Sequence, residues 1–151
     1  MHLVVALDSE ARPIIHALGL KARTPRGVFP VYLHDDVSLV VSGIGKVNAA
    51  AATTYLHLVT GEQADEGWLN VGVAGHANQP IGTGAMAARI TDAATRCQWH
   101  PSPICNERLN AWELITVDRA EHDYNDAAMY DMEGSGYYAT AQRFSTAELV
   151  Q

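Results

Sequence analysis

The 151-residue chain has no long apolar run. Its N-terminal stretch LVVAL (residues 3–7) gives way at once to Asp8, and no window approaches the ~20 apolar residues of a membrane helix. A basic segment ahead of such a run is also missing, so no secretory leader is read there and a cytoplasmic protein, with no membrane partner, is expected. Positive charge is scarce: 10 Lys and Arg stand against 17 Asp and Glu, for a net charge of -7. A phosphate backbone is held by clustered cations, and none cluster here, which argues against nucleic acid as the main partner. Cysteine is nearly absent too. Cys97 and Cys105 lie eight apart, in no metal-type spacing, so no metal site is expected. Two reduced thiols fit an intracellular chain, with a disulfide between them as the alternative.

What is present is an ordinary folding composition, 48% apolar and 18% charged. A chain of this length makes one domain with its own core. Residues 3–7 read as a strand buried on both faces. Asp8 and Ser9 offer an N-cap, and residues 10–18 read as a short helix with Pro13 in its first turn. Residues 21–26 are basic and broken by Pro25, which suggests a loop. Residues 28–34 and 37–41 look like a hairpin turning at Asp35 and Asp36. A glycine turn at 43–46 leads into an Ala-rich helix over 48–58. Strands are predicted at 68–73, 85–91 and 113–117, an irregular polar stretch at 95–109, and a helix over 131–144. Alternation of this kind implies a mostly parallel sheet covered by helices, with ligands at the carboxyl ends of the strands.

Four segments fall at such ends. In the first (ALDSEARP, residues 6–13), an acid in the first helical turn complements the positive end of the helix dipole, which acidic first-turn residues do in many proteins. In the second (VSGIGKVNAA, residues 41–50), two glycines turn backbone N–H groups outward. The spacing fits neither a Walker loop nor a dinucleotide fingerprint, and alone it suits a plain tight turn. The third (LNVGVAGH, residues 69–76) has small residues that admit either a flat ligand or a close-packed helix. His76 beside it reads more simply as a hydrogen-bonding loop residue than as a catalyst. The fourth (YDMEGSGYYAT, residues 130–140) sets a carboxylate at a helix start, suited to a ribose diol, beside the flexible thioether of Met132.

Together, and in this order, the segments resemble the purine nucleoside phosphorylase / methylthioadenosine–S-adenosylhomocysteine nucleosidase superfamily. Residues 42–50 match its S-G-[IV]-G-K-x-x-A-A turn, residues 70–75 its N-x-G-x-A-G strand end, and residues 132–134 its M-E-[GA] helix start. Residues 114–124 (LITVDRAEHDY) fall where that family clamps the base. The resemblance implies an α/β fold of three αβα layers, with a mixed, mostly parallel central sheet flanked by helices. It implies cleavage of the N-glycosidic bond of a purine nucleoside, with no cofactor. Glu10 would be the catalytic carboxylate that orients or deprotonates water. Gly45, Val73, Ala74, Gly75, Met132 and Glu133 would bind the nucleoside, Glu133 through the ribose hydroxyls.

In the phosphorylases an arginine and a serine hold phosphate in the strand matching residues 69–75. Here Asn70 and Val73 stand in those places, and they cannot replace a guanidinium and a hydroxyl. Water is therefore the expected nucleophile. Phosphorolysis is the alternative, with Arg12 or Lys46 as a possible cation for phosphate, and a nucleoside-binding relative with impaired catalysis is the third reading. The superfamily's purine-protonating Ser-Asp pair has no match after Glu133. Residues 1–151 are accordingly expected to form a single domain without the closing strand and helix, and loss of a general acid typically costs ~10²–10⁴-fold in rate. A homo-oligomer, dimer or hexamer, is expected by the same resemblance.

Overall fold

The computed structural model describes residues 1–23, 28–61, 66–102, 109–124 and 127–151. Its elements run β1 (His2–Val5), α1 (Asp8–Ala17), β2 (Lys21–Ala22), β3 (Val31–His34), β4 (Val37–Val41), α2 (Lys46–Thr60), β5 (Trp68–Asn70), β6 (Ala85–Asp92), β7 (Gln98–Trp99), β8 (Asn110–Thr116), β9 (Met129–Asp131) and α3 (Gly134–Ala141), with a 3-10 turn at Ala147–Leu149. Cys105, and with it the question of a disulfide, lies outside the described residues.

The strands form two sheets among the described residues, ordered β2-β3-β4-β1-β5 and β7-β6-β8-β9. β1 runs parallel to both β4 and β5, and β8 parallel to both β6 and β9. The antiparallel pairs are β2 with β3, β3 with β4 and β6 with β7. A mostly parallel α/β architecture is thus present, but the single central sheet expected from the sequence is divided. On the outer side of β5, Val150 forms a parallel bridge to Trp68, and Gln151 exchanges backbone bonds with Trp68 and Asn70. The two sheets meet at one further rung, where Gly75 and Tyr130 exchange N–H···O bonds of 2.9 Å in both directions.

The period of two along a strand explains the layering of the first sheet. Leu3, Val5, Leu39 and Val41 point to one face and pack with Ala11 of α1, joined by Ile14 and Ile15. Val4 and Val40 point to the other face, into a larger core with Ala49, Ala52 and Leu56 of α2 and Tyr137, Tyr138 and Ala141 of α3. In α2 those buried positions recur every three or four residues, as one helical face requires. Trp68, Tyr137, Leu39 and Leu56 are essentially fully buried. Truncating a leucine so buried to alanine costs ~2–5 kcal/mol.

Several local expectations are corrected. The cap of α1 is Leu7, not Asp8 or Ser9, and the Glu10 side chain reaches back to accept the Leu7 N–H at 3.0 Å. Pro13 then falls in the second turn, where its missing N–H removes one helical bond. Residues 21–22 are not loop but a short edge strand against β3. The polar stretch after Thr95 contains β7. Asp131 does not begin the last helix; it ends β9, and α3 begins at Gly134.

Candidate active site

Parallel strands bring their carboxyl ends to one edge, and the site is built there. The ladder of β1 and β4 is prolonged by Ser42 N–H to Val5 O (2.8 Å) and Gly43 N–H to Ala6 O (3.0 Å), which lays the glycine turn beside the start of α1. On the other side, Val71 N–H to Val4 O (3.1 Å) carries the chain out of β5 along the same edge. Residues 72–75 therefore run past α1, and Glu10 bridges the gap. Its Oε2 accepts the Leu7 N–H and its Oε1 accepts the Val73 N–H, each at 3.0 Å. Both oxygens are oriented by main-chain donors and retain lone pairs facing the cleft.

Glu133 enters from the opposite side. Its Oε1 accepts the N–H of Gly45 at 2.7 Å, and its Oε2 accepts that of Met132 at 3.2 Å. Gly45 holds φ at +102°, a conformation in which a side chain is strained. The glycine of this turn is thus required by the geometry that aims its N–H at the carboxylate.

Asp131 ends β9, two residues before Glu133. Its Oδ1 accepts the Thr116 hydroxyl at 2.7 Å, while its Oδ2 accepts the N–H groups of Gly134 (2.5 Å) and Glu133 (3.2 Å). Burial raises its pKa to about 6 against those hydrogen bonds, and the nearby Glu133 charge adds to the rise. Asp92 behaves in the opposite way. Burial pushes it up, but bonds from Lys46, the Thr95 N–H, Ser135 and the Thr95 hydroxyl outweigh this and hold it well below the usual carboxylate range.

Two connected clefts lie between these groups. The inner one, about 160 Å³, has apolar walls that include Leu69, Ala87, Leu114 and Met129. The outer one, about 250 Å³, includes Leu7, Ile44, Tyr124 and Met132. Ala6, Glu10, Val73, Asp131 and Glu133 border both. An apolar space with a few convergent polar groups is the usual form of a small-molecule site. Among the described residues no group of three or more His, Cys, Asp and Glu is placed to hold a metal ion, and no helix is long and apolar enough to cross a membrane.

The structure brings the residues singled out from sequence together. Glu10, Val73, Ala74 and Glu133 line the inner cleft, and Gly75 and Met132 line the outer one. Gly45 borders neither but holds Glu133. Val73 is 80% exposed, and its N–H is held by Glu10. From the base-clamp stretch, Val117, Ala120, Glu121 and Tyr124 border the outer cleft. His76 accepts the Asn78 N–H at 3.1 Å and packs against Trp112, off both clefts. Lys46 is engaged by the carboxylates of Asp92 (2.9 Å) and Asp118 (2.7 Å), and Arg12 lies exposed on α1.

Sequence reasoning gave no role to Asp131, although it stands beside Met132 and Glu133 in the same segment. An acid three residues before the first glycine of a helix was the available signal. Asp92 carried little signal, because its Lys46 and Ser135 partners lie 46 and 43 residues away.

No protein-family model matches the sequence, and no curated protein matches it. Solved structures do. Over 95% of this chain and 83% of the other, it superposes on a mutant futalosine hydrolase of Helicobacter pylori with a TM-score of 0.74 and 18% identity. The 5'-methylthioadenosine/S-adenosylhomocysteine nucleosidase of Helicobacter pylori, solved with butyl-thio-DADMe-Immucillin-A, gives a TM-score of 0.79 at 19% identity, covering 95% of this chain and 78% of that one. The corresponding Neisseria meningitidis nucleosidase, in complex with methylthio-immucillin-A, gives 0.74 at 15% identity, with 99% and 86% covered. The chain has the fold of these nucleosidases.

Proposed function

We propose that the chain hydrolyses the N-glycosidic bond of a purine nucleoside of the methylthioadenosine or S-adenosylhomocysteine type. One observation carries this reading: Glu10 and Glu133, from the beginnings of two helices, flank a single cleft, each oriented by two backbone N–H groups. Glu133 beside Met132 suits the ribose, its carboxylate accepting the hydroxyls. Glu10, anchored across α1 and the 72–75 segment, suits a water held in line with the anomeric carbon. Val73, Ala74 and Gly75 lay main chain along the nucleoside.

In the reaction, the water oxygen bonds to the anomeric carbon as the C–N bond breaks, its electron pair leaving with the purine. Glu10 takes the proton lost by water, and the purine gains the equivalent proton from solvent. Holding the partners in line replaces ~7–11 kcal/mol of barrier. The carboxylates also face the positive charge that develops on the sugar.

Water is favoured over phosphate by the surroundings of the cleft. Asn70 and Val73 offer neither guanidinium nor hydroxyl, and Lys46 is already paired with Asp92 and Asp118. The test is release of adenine from methylthioadenosine, with and without inorganic phosphate. The expected products are adenine and free 5-methylthioribose, at a rate independent of phosphate. Strict phosphate dependence with a sugar phosphate as product establishes phosphorolysis instead; tight binding without turnover establishes a binding protein.

A further inference from the structure

Lys46 begins α2, one residue after the Gly45 that holds Glu133. Its ammonium has two arms. One reaches Asp92 Oδ2 at 2.9 Å, and that same oxygen accepts the Ser135 hydroxyl of α3 at 2.8 Å. The other reaches Asp118 Oδ1 at 2.7 Å, on the segment that walls the outer cleft through Val117, Ala120 and Glu121. The arms differ in surroundings: the Asp92 side chain is 6% exposed and that of Asp118 63%. The buried arm is further fixed because Asp92 Oδ1 accepts the N–H groups of Ala94 and Thr95 and the Thr95 hydroxyl.

The main chain of Lys46 is as constrained as its side chain. A Cβ on Gly136 would lie 2.3 Å from the Lys46 carbonyl oxygen, so α2 and α3 touch backbone to backbone at this point. Ser135 also donates its N–H to the Thr116 hydroxyl, which in turn donates to Asp131. The start of α3 is therefore tied to α2, to β6 through Asp92 and to β8 through Thr116. Glu133 immediately precedes this knot.

We infer that Lys46 is a positioning residue: through Asp92 and Ser135 it sets Glu133 against the ribose, and through Asp118 it fastens the 117–121 segment over the base. The inference rests on the nucleosidase reading for its kinetic consequences but not for its geometry. One ammonium with three donors satisfies two carboxylates on different elements at once. The two arms act on different parts of the substrate, so they separate in kinetics. Loosening the wall over the base weakens binding in the ground and transition states alike, whereas a displaced Glu133 spoils alignment in the transition state.

The experiment compares Asp118→Asn, Ser135→Ala, Asp92→Asn, Lys46→Met and Lys46→Arg, by steady-state kinetics on methylthioadenosine and by amide hydrogen exchange on each unliganded protein. Asp118→Asn is expected to raise KM several-fold with kcat unchanged, and to speed exchange in residues 117–121 only. Ser135→Ala and Asp92→Asn are expected to lower kcat by up to ~10²-fold and to speed exchange of the Gly45 N–H. Lys46→Met combines both effects, and Lys46→Arg recovers most of the Asp118 arm. Equal changes in kcat and KM for Asp118→Asn and Ser135→Ala overturn the two-arm assignment, as does exchange that rises uniformly across the protein. Should the wild type turn over no nucleoside, the functional reading fails while the exchange pattern still upholds or refutes the positioning role of Lys46.

Discussion

The N–H of Gly45 donates to Glu133 Oε1 at 2.7 Å across 88 residues of sequence. This bond joins the two most distinctive sequence motifs of the chain into one site, and it makes the glycine turn a holder of the Glu133 carboxylate. A hydrogen bond to a charged group contributes about 1.5–3 kcal/mol. Glu133→Gln keeps the size of the side chain but removes that charge. Its kcat/KM on methylthioadenosine is expected to fall ~10–10²-fold, mostly through kcat. Unchanged kinetics in this variant exclude Glu133 from the substrate site.

Glu10 predicts a different signature. Glu10→Gln retains one acceptor for the Leu7 or Val73 N–H but cannot take a proton from water. The expected loss is ~10²–10⁴-fold in kcat, with KM within a few-fold and a thermal midpoint close to that of the parent. Purine release assayed at saturating nucleoside checks it; a fall in KM-controlled affinity with kcat preserved assigns Glu10 to binding instead.

Gly136→Ala tests the contact between helices. The added methyl would meet the Lys46 carbonyl oxygen at 2.3 Å, and both partners are backbone with little room to move. Overpacking of this kind costs about 1–3 kcal/mol. Urea unfolding midpoints of the two proteins measure it, and a midpoint at or above the parent's shows that α2 and α3 yield freely.

Two buried groups give stability slopes of opposite sign between about pH 4 and 6.5. The native carboxyl of Asp131 has its pKa raised to about 6 from 3.8. Its contribution is complete below the lower value and is lost as pH rises through the upper one. His2 is lowered to about 4 from 6.5 by burial, against the attraction of Glu66, with the N-terminal amine and His57 adding to the fall. Its contribution is complete above 6.5 and is lost as pH falls towards 4. Asp131→Asn, which removes only the first slope, should gain stability with pH over this window more steeply than the parent. His2→Gln should do the reverse. Denaturant midpoints at half-unit pH intervals decide, and parallel profiles for all three proteins contradict both assignments.

Much of this site was legible in the sequence because its parts are local. A glycine turn after a strand, an acid in a first turn and a Met-Glu pair before a small-residue helix are each readable within ten residues. The strand pattern of the first sheet was equally plain, since Leu3 to Val5 and Leu39 to Val41 alternate between two helical layers. What escaped was set by distant partners. β2 and β7 are two residues each and exist only because β3 and β6 accept them. β9 is three residues long, and its neighbour β8 decides that Asp131 is extended rather than helical. Leu7 is no capping residue by type; Glu10 supplies the acceptor from within the helix.

Val73 shows how such a site withstands substitution. The residue stands 80% exposed while its N–H is held by Glu10. A position recognised through the main chain places no demand on the identity of the residue beyond having an N–H, so only proline is barred there by this bond. The valine side chain is therefore neutral to the Glu10 anchor. Substitutions at this position that keep an N–H therefore leave the link between α1 and the 72–75 segment in place.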